Sequence, residues 1–316
     1  MDNLDNLIEI IRKNSFSMEP VPTGISPKLM PLKGIRFLFF DVYGTLFISC
    51  SGDIGKVEHS SQDSHFIDAF KSAGLRVIRE DTGSIAKKLL TEKIKESHQA
   101  SRKRGILYPE VDILKIWNRV LTSLITLKAV ETQRIDRGLL KKISVEYETR
   151  SNPVWPMRGL TQLIGLIKRE GLRAGIISNA QFYTPLLFPS FLFSNPYEIG
   201  FDPELFILSY QIGEAKPSLT LFLRALEKLY RRYPFSEKPV KAEELLYIGN
   251  DMLNDILPAK QIGFRTALFA GDLRSLRMRK EIEECNNLEP DIIITDLKQL
   301  EDIVFVSKKK SKIGSQ

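Results

Sequence analysis

The chain has 316 residues, 46 Lys plus Arg against 39 Asp plus Glu, a net charge of +7 and 43% hydrophobic residues. That balance excludes a wholly disordered chain. The lack of any apolar run near 18 residues excludes a membrane-spanning helix, and two cysteines, Cys50 and Cys285, cannot build a disulfide framework. An acidic Met1–Asp5 start does not read as a secretory signal, so a reducing cytoplasm is the expected compartment. The positive charge is unevenly placed. Residues 307–316 carry four lysines and no acid, residues 47–155 carry an excess of +5, and residues 156–306 are slightly acidic. A short basic tail without aromatic interleaving is expected to be a disordered, solvated end, so no nucleic-acid or membrane partner is implied.

In chain order, residues 4–13 place apolar side chains at helical spacing, and Pro20, Pro22, Gly24, Pro27 and Pro31 then define an extended arm. Residues 1–32 therefore read as an appended helix and arm that pack along the main body. Ile35–Phe40 is a short apolar run ended by Asp41-Val-Tyr-Gly-Thr45, the pattern of a buried parallel strand. Further strands are expected at 172–178, 244–249, 266–270 and 291–295, separated by helical patterns at 159–170, 219–232 and 257–262. This alternation predicts an α/β fold with a doubly wound, mostly parallel sheet. Residues 47–155 are far more than a crossover needs. Their helical stretches at 65–73, 85–101, 113–127 and 138–149 predict an inserted α-helical cap domain. The division is thus 33–46 plus 156–306 for the core, 47–155 for the cap and 307–316 for the tail. The histidines His59, His65 and His98 all lie in the insertion, at spacings that match no common metal motif. The aromatic stretch Phe182–Phe193 reads as core rather than as a dimer contact, and the oligomeric state stays open.

Four polar clusters fall at strand or loop ends, where open α/β sheets bind ligands. Asp41 can act as a covalent nucleophile beside the sharp turn at Gly44 and the hydroxyl of Thr45. Ser178 and Asn179 offer a hydroxyl and an amide, and Lys216, in Gly213-Glu-Ala-Lys-Pro-Ser218, can neutralise an anion. Gly249-Asn-Asp-Met-Leu-Asn-Asp255 supplies Asp251 and Asp255, hard oxygen donors of the kind that suit Mg²⁺.

The order and spacing of these four motifs resemble the haloacid dehalogenase (HAD) superfamily of hydrolases over residues 33–306. The resemblance implies a Rossmannoid core with a helical cap inserted after the first motif. It implies Asp41 as nucleophile, Thr45 behind it, Ser178 on the transferring group and Lys216 on the intermediate. Asp41, Asp251, Asp255 and the backbone carbonyl of Tyr43 would hold Mg²⁺. Two positions pull apart. Phosphatases of the superfamily usually carry a second aspartate where this chain has Tyr43, and that acid protonates the leaving group. The Asp-x-Tyr-Gly-Thr form resembles the 2-haloacid dehalogenases, which need neither the acid nor Mg²⁺ but call for a cap arginine, such as one near Arg76 or Arg79, to hold a carboxylate. The Asp251/Asp255 pair resembles the metal-dependent phosphatases. The first expectation is therefore Mg²⁺-dependent hydrolysis of a small, anionic phosphorylated molecule. The alternatives are dehalogenase-like chemistry and a catalytically weak or inactive binding protein on the same fold.

Overall fold

The computed structural model describes residues 4–51, 62–234 and 240–304. His59 and the lysine-rich tail lie outside these residues. The chain opens with helix α1 (Leu4–Asn14), whose buried face is Leu7, Ile10 and Ile11. Strand β1 (Phe37–Phe40) follows the proline arm, and β2 (Phe47–Ser49) follows the first polar loop. Next come α2 (Gln62–Ser72), β3 (Arg76–Val77), α3 (Thr82–Arg102), α4 (Ile113–Thr126), β4 (Val130–Glu131), α5 (Arg137–Ser151) and β5 (Val154–Pro156). Asp112 and Asp136 start α4 and α5 by accepting the backbone N–H of Leu114 and Leu139, satisfying donors that a bare helix end leaves open. The rest runs α6 (Leu160–Glu170), β6 (Arg173–Ser178), α7 (Leu187–Leu192), β7 (Phe201–Leu208), α8 (Ser209–Ile212), α9 (Leu219–Arg232), β8 (Leu245–Gly249), α10 (Leu257–Gln261), β9 (Arg265–Phe269), α11 (Glu283–Asn286), β10 (Ile292–Ile294) and α12 (Leu300–Val304).

Six strands form one sheet in the order β10-β9-β8-β1-β6-β7, and every neighbouring pair is parallel. The α/β doubly wound fold expected from the strand–helix alternation is therefore present. β1 sits between β8 and β6, with Phe40 level with Ile176 and Ile248. Chain order reverses here, so the crevice at the carboxyl ends of these three strands is where such sheets bind ligands. Both faces of the sheet are buried. Phe40, Ile176, Ile248 and Phe269 pack into one hydrophobic cluster with α6, and Phe39, Ile177 and Tyr247 pack into a second with α9. Strand β7 was not among the expected strands: Asp202, Pro203 and Glu204 interrupt its first half, and only its second half, Leu205–Leu208, is continuously apolar and buried.

Helices α2 to α5 share a separate core around Trp117, Phe66, Phe70 and Ile143. The chain enters and leaves this helical module through β2 and β5, paired antiparallel, so the two connections run side by side. α1 packs on α5 of the module and on α7 of the sheet body. Arg12 donates to the carbonyls of Ser190 and Pro189, both at 2.6 Å. Beyond α1 the arm follows the body: Leu273 N–H donates to Val21 O, the Thr23 hydroxyl to Ala270 O, and Lys28 and Ile293 exchange backbone hydrogen bonds. The stretch Phe182–Phe193 divides in two. Phe188 is fully buried while Phe193, at φ 53°, is 79% exposed with Arg12 over its ring. No helix among the described residues is long and apolar enough to cross a membrane.

Ile11 is 1% exposed. Ile11→Ala removes buried methyl groups and leaves a cavity, so we expect a loss of about 2–4 kcal/mol by chemical denaturation, against a near-neutral change for the exposed Leu4→Ala.

Candidate functional site

The first loop is built to face Asp41 toward the crevice. The Asp41 N–H donates to Ile248 O at 2.9 Å, continuing the β1–β8 ladder by one residue, and the chain then turns so tightly that Thr45, Leu46 and Phe47 all donate to Val42 O. Gly44 makes the turn possible: its φ is +80°, and a Cβ there would lie 2.4 Å from that of Ser275.

Lys216 stands at the centre. Its side chain is 3% exposed, and Nζ donates to Asp41 Oδ1 at 2.7 Å and to Asp255 Oδ1 at 2.6 Å, with the Tyr247 hydroxyl at 3.1 Å. Burial alone would lower the lysine's pKa, but the carboxylates of Asp255 and Asp41 outweigh it and hold it above the ordinary value. Burial raises the pKa of Asp255, and the negative charges of Asp41 and Asp251 add to that rise against the pull of Lys216. Asn179 braces this lysine rather than facing a ligand. Its Oδ1 accepts the Lys216 N–H at 2.7 Å. Ser178 is fully buried at the end of β6, its hydroxyl making only a long 3.5 Å contact to Asn179 O. The Thr45 hydroxyl donates to Asn250 Oδ1 at 3.2 Å, tying the first loop to the fourth motif.

Asp41, Ser178, Lys216 and Asp255 thus converge on one crevice, with Thr45 and Asn179 behind them. Asp251 does not join them. Leu253 N–H, Asn254 N–H and Arg279 Nε donate to its Oδ1, and Asn254 Nδ2 and Arg279 Nη2 donate to its Oδ2. It is the N-cap of a π-helical turn, Met252–Ile256, clamped by an arginine. Asp255 is as fully engaged. Its Oδ1 takes Lys216 and Tyr247, and its Oδ2 takes the backbone N–H groups of Asn250 and Asp251, each at 2.9 Å.

A carboxylate has about four lone-pair sites, so neither acid of the fourth motif has one free to ligate a cation. The expected Mg²⁺ set of Asp41, the Tyr43 carbonyl, Asp251 and Asp255 does not fit this arrangement. Among the described residues no cluster of three or more Asp, Glu, His or Cys side chains is placed to hold a metal ion. Beside Gly249, the Asn250 side chain donates to Ser275 O at 2.5 Å.

Tyr43 points away from proton chemistry. Its hydroxyl pairs with Thr184 Oγ1 at 2.9 Å, and burial, then the charge of Glu148, holds its pKa far above the usual phenol value. Tyr247, Thr184 and Arg279 were missed in the sequence. Tyr247 sits on an apolar strand and reads as core, and Arg279 reaches Asp251 from 28 residues away with no motif to announce it. Arg76 and Arg79 are taken up in surface pairs with Glu131 and Asp81.

Residues 214–300, which hold Lys216 and the whole fourth motif, match the family model described as HAD-hydrolase-like. That stretch of the chain is similar to the HAD-like hydrolases. A curated relative, the rhythmically expressed gene 2 protein of Drosophila melanogaster, is 33% identical over 109 residues, spanning 34% of this chain and 37% of that protein. Among solved structures, a 2-haloacid dehalogenase from Pseudomonas syringae pv. Tomato is similar at 19% identity and a TM-score of 0.49, covering 85% of this chain and 97% of that one. A HAD phosphatase from Thermococcus onnurineus is similar at 15% identity and a TM-score of 0.46, with the same coverage.

Gly249 is as constrained as Gly44: an added Cβ would lie 2.4 Å from Asp255 Cγ. Gly249→Ala must displace Asp255 and is expected to lose about 1–3 kcal/mol. Gly165→Ala, on an open face of α6 with nothing within 4 Å, should gain about 0.5–1 kcal/mol, both changes being read by chemical denaturation.

Proposed function

We propose that the chain is a hydrolase working through a covalent ester on Asp41, and that its leaving group departs as a stable anion. The observation that carries this is the pairing at Asp41. One carboxylate oxygen is held by Lys216, while Oδ2 has no hydrogen-bond partner among the described residues, and position 43 supplies a phenol locked on Thr184 instead of an acid. Asp41 Oδ2 attacks an electrophilic carbon, a new C–O bond forms, and the bond to the leaving group breaks with its electron pair. Water then adds to the ester carbonyl, the acyl–oxygen bond breaks, and the products are an alcohol and the restored carboxylate, with a proton released to solvent. Lys216 fixes the orientation of Asp41 through both steps and offsets part of the charge of two neighbouring carboxylates. Asn179 and Thr45 act one step back by holding Lys216 and Asn250 in place. Helices α2 to α5 serve as a cap that screens the crevice from water.

Dehalogenase-like chemistry is thus favoured over the first expectation of phosphate-ester hydrolysis. An alkoxide leaving from phosphorus lacks a proton donor at position 43, which would forfeit roughly the 10²–10⁴-fold of general acid catalysis. The acid pair Asp251 and Asp255 is what supports the phosphatase reading, and that reading requires Arg279 to release Asp251 and Lys216 to withdraw from Asp255.

The test is a parallel assay of halide release from short 2-haloacids and phosphate release from phosphate monoesters, each with excess Mg²⁺ and with EDTA. The expected outcome is halide release that is unchanged by EDTA and reduced at least about 10³-fold in Asp41→Asn. Phosphate release that requires Mg²⁺ and Asp41 would replace this reading with the phosphatase one. Stability gives an independent check on Lys216: Lys216→Met leaves two buried carboxylates facing each other and should cost about 3–5 kcal/mol at pH 7.

A further inference from the structure

A second cavity, of about 270 Å³, lies inside the helical module against the loop that follows β6. Its walls are aromatic on one side. Phe66 and Tyr147 have ring centroids 4.3 Å apart, and Trp117 meets Tyr147 edge-on at 5.5 Å. Two acids line it and differ sharply. Glu110 accepts from the Ser209 hydroxyl at 2.7 Å and from Val111 N–H at 2.8 Å, so its carboxylate is satisfied within the fold. Glu148 is in no ion pair among the described residues, and its Oε1 is fully enclosed with no hydrogen-bond partner. The contrast with Glu146, two residues earlier on α5, is direct: that acid is paired with Arg150 at 2.8 Å.

An enclosed carboxyl oxygen without a donor is a rare and unfavourable feature. Burial lifts the Glu148 pKa to about 7, with only Tyr183 and Asn152 holding it down and no cation contributing. Lys87 lines the same cavity without pairing to Glu148, and burial, then Arg102, lowers the pKa of His98, disfavouring its charged form. What the site lacks is a cation to sit beside Glu148, and what surrounds the gap is ring surface, the environment that attracts an organic ammonium through charge and through the aromatic faces.

We propose that this cavity binds a small organic cation, a protonated amine on an aromatic or branched apolar body. The ammonium rests on Glu148 and the body lies among Phe66, Trp117 and Tyr147. The cavity adjoins the first loop, since the charge of Glu148 acts on Tyr43, but its test is binding without turnover, so its failure and that of the proposed reaction are distinguishable.

The experiment is isothermal titration of the full-length chain at pH 8 with three probes of one shape: benzylamine, benzyl alcohol and benzoate. Saturable binding of benzylamine, at least tenfold tighter than benzyl alcohol and with benzoate not bound, is the expected result. Glu148→Gln should weaken benzylamine at least tenfold while its thermal melt stays cooperative, and Lys87→Ala should leave it unchanged or tighter. Benzoate bound in preference to benzylamine would show that Lys87 sets the sign of the cavity and would overturn the proposal. So would equal affinity for benzylamine and benzyl alcohol, no binding of benzylamine at millimolar concentration, or full retention of its affinity in Glu148→Gln.

Discussion

The Lys216 ammonium, shared between Asp41 and Asp255, is the contact on which the rest of the centre depends. A buried carboxylate pair this close repels itself, and a buried lysine alone would shed its proton. The two carboxylates hold the Lys216 pKa above its ordinary value, and the ammonium in turn pulls against the rise that burial imposes on Asp255. The geometry that brings them together comes from three different places in the fold: the end of β1, the loop before α9, and the turn after β8. Each is fixed by its own local device, namely the register of β1 against β8, the Asn179 clasp on the Lys216 backbone, and the two N–H groups of Asn250 and Asp251 on Asp255. The sheet, in this sense, is the scaffold for a single ion triplet.

The triplet also decides what the fourth motif can do. Asp251 and Asp255 sit four positions apart, near enough in sequence to look like a ligand pair, but their carboxylates face different partners. One caps the turn that carries the other. The π-helical widening at Met252–Ile256 lets Asp255 fold back under Gly249, where only a residue without a side chain leaves room. A reading of the motif as a chelate and a reading of it as a brace predict the same residues, and it is the hydrogen bonds that separate them.

Much of this was legible in the sequence. Five core strands and the main helices announced themselves by apolar runs and helical spacing, and Asp41, Ser178, Lys216 and Asp255 converge as their places at strand and loop ends implied. What stayed hidden had physical reasons. β7 carries Asp202, Pro203 and Glu204 in its first half, so only its last four residues, Leu205–Leu208, form an apolar run and the strand's start is unmarked. The turn of Asp251 toward Arg279 depends on a side chain brought in by a distant loop. Asn179 looked like a ligand donor because its amide could serve either role, and the nearer partner, the backbone of Lys216, took it. Glu148 lay within an ordinary helical pattern, with nothing in the spacing to show that rings and phenols would surround it.

The arm between α1 and β1 has a consequence for the chain's behaviour in crowded solution. An exposed strand edge is a template on which another chain can add, and a six-stranded parallel sheet has two of them. At the β10 edge, Lys28 exchanges both backbone hydrogen bonds with Ile293 in antiparallel register, so the proline-punctuated segment occupies the rim without extending it. At the β7 edge, Pro203 removes a donor and two acids flank it. Both rims are thereby blunted by local chemistry, and the sheet is guarded against edge-to-edge aggregation by the parts of the sequence that look least like sheet.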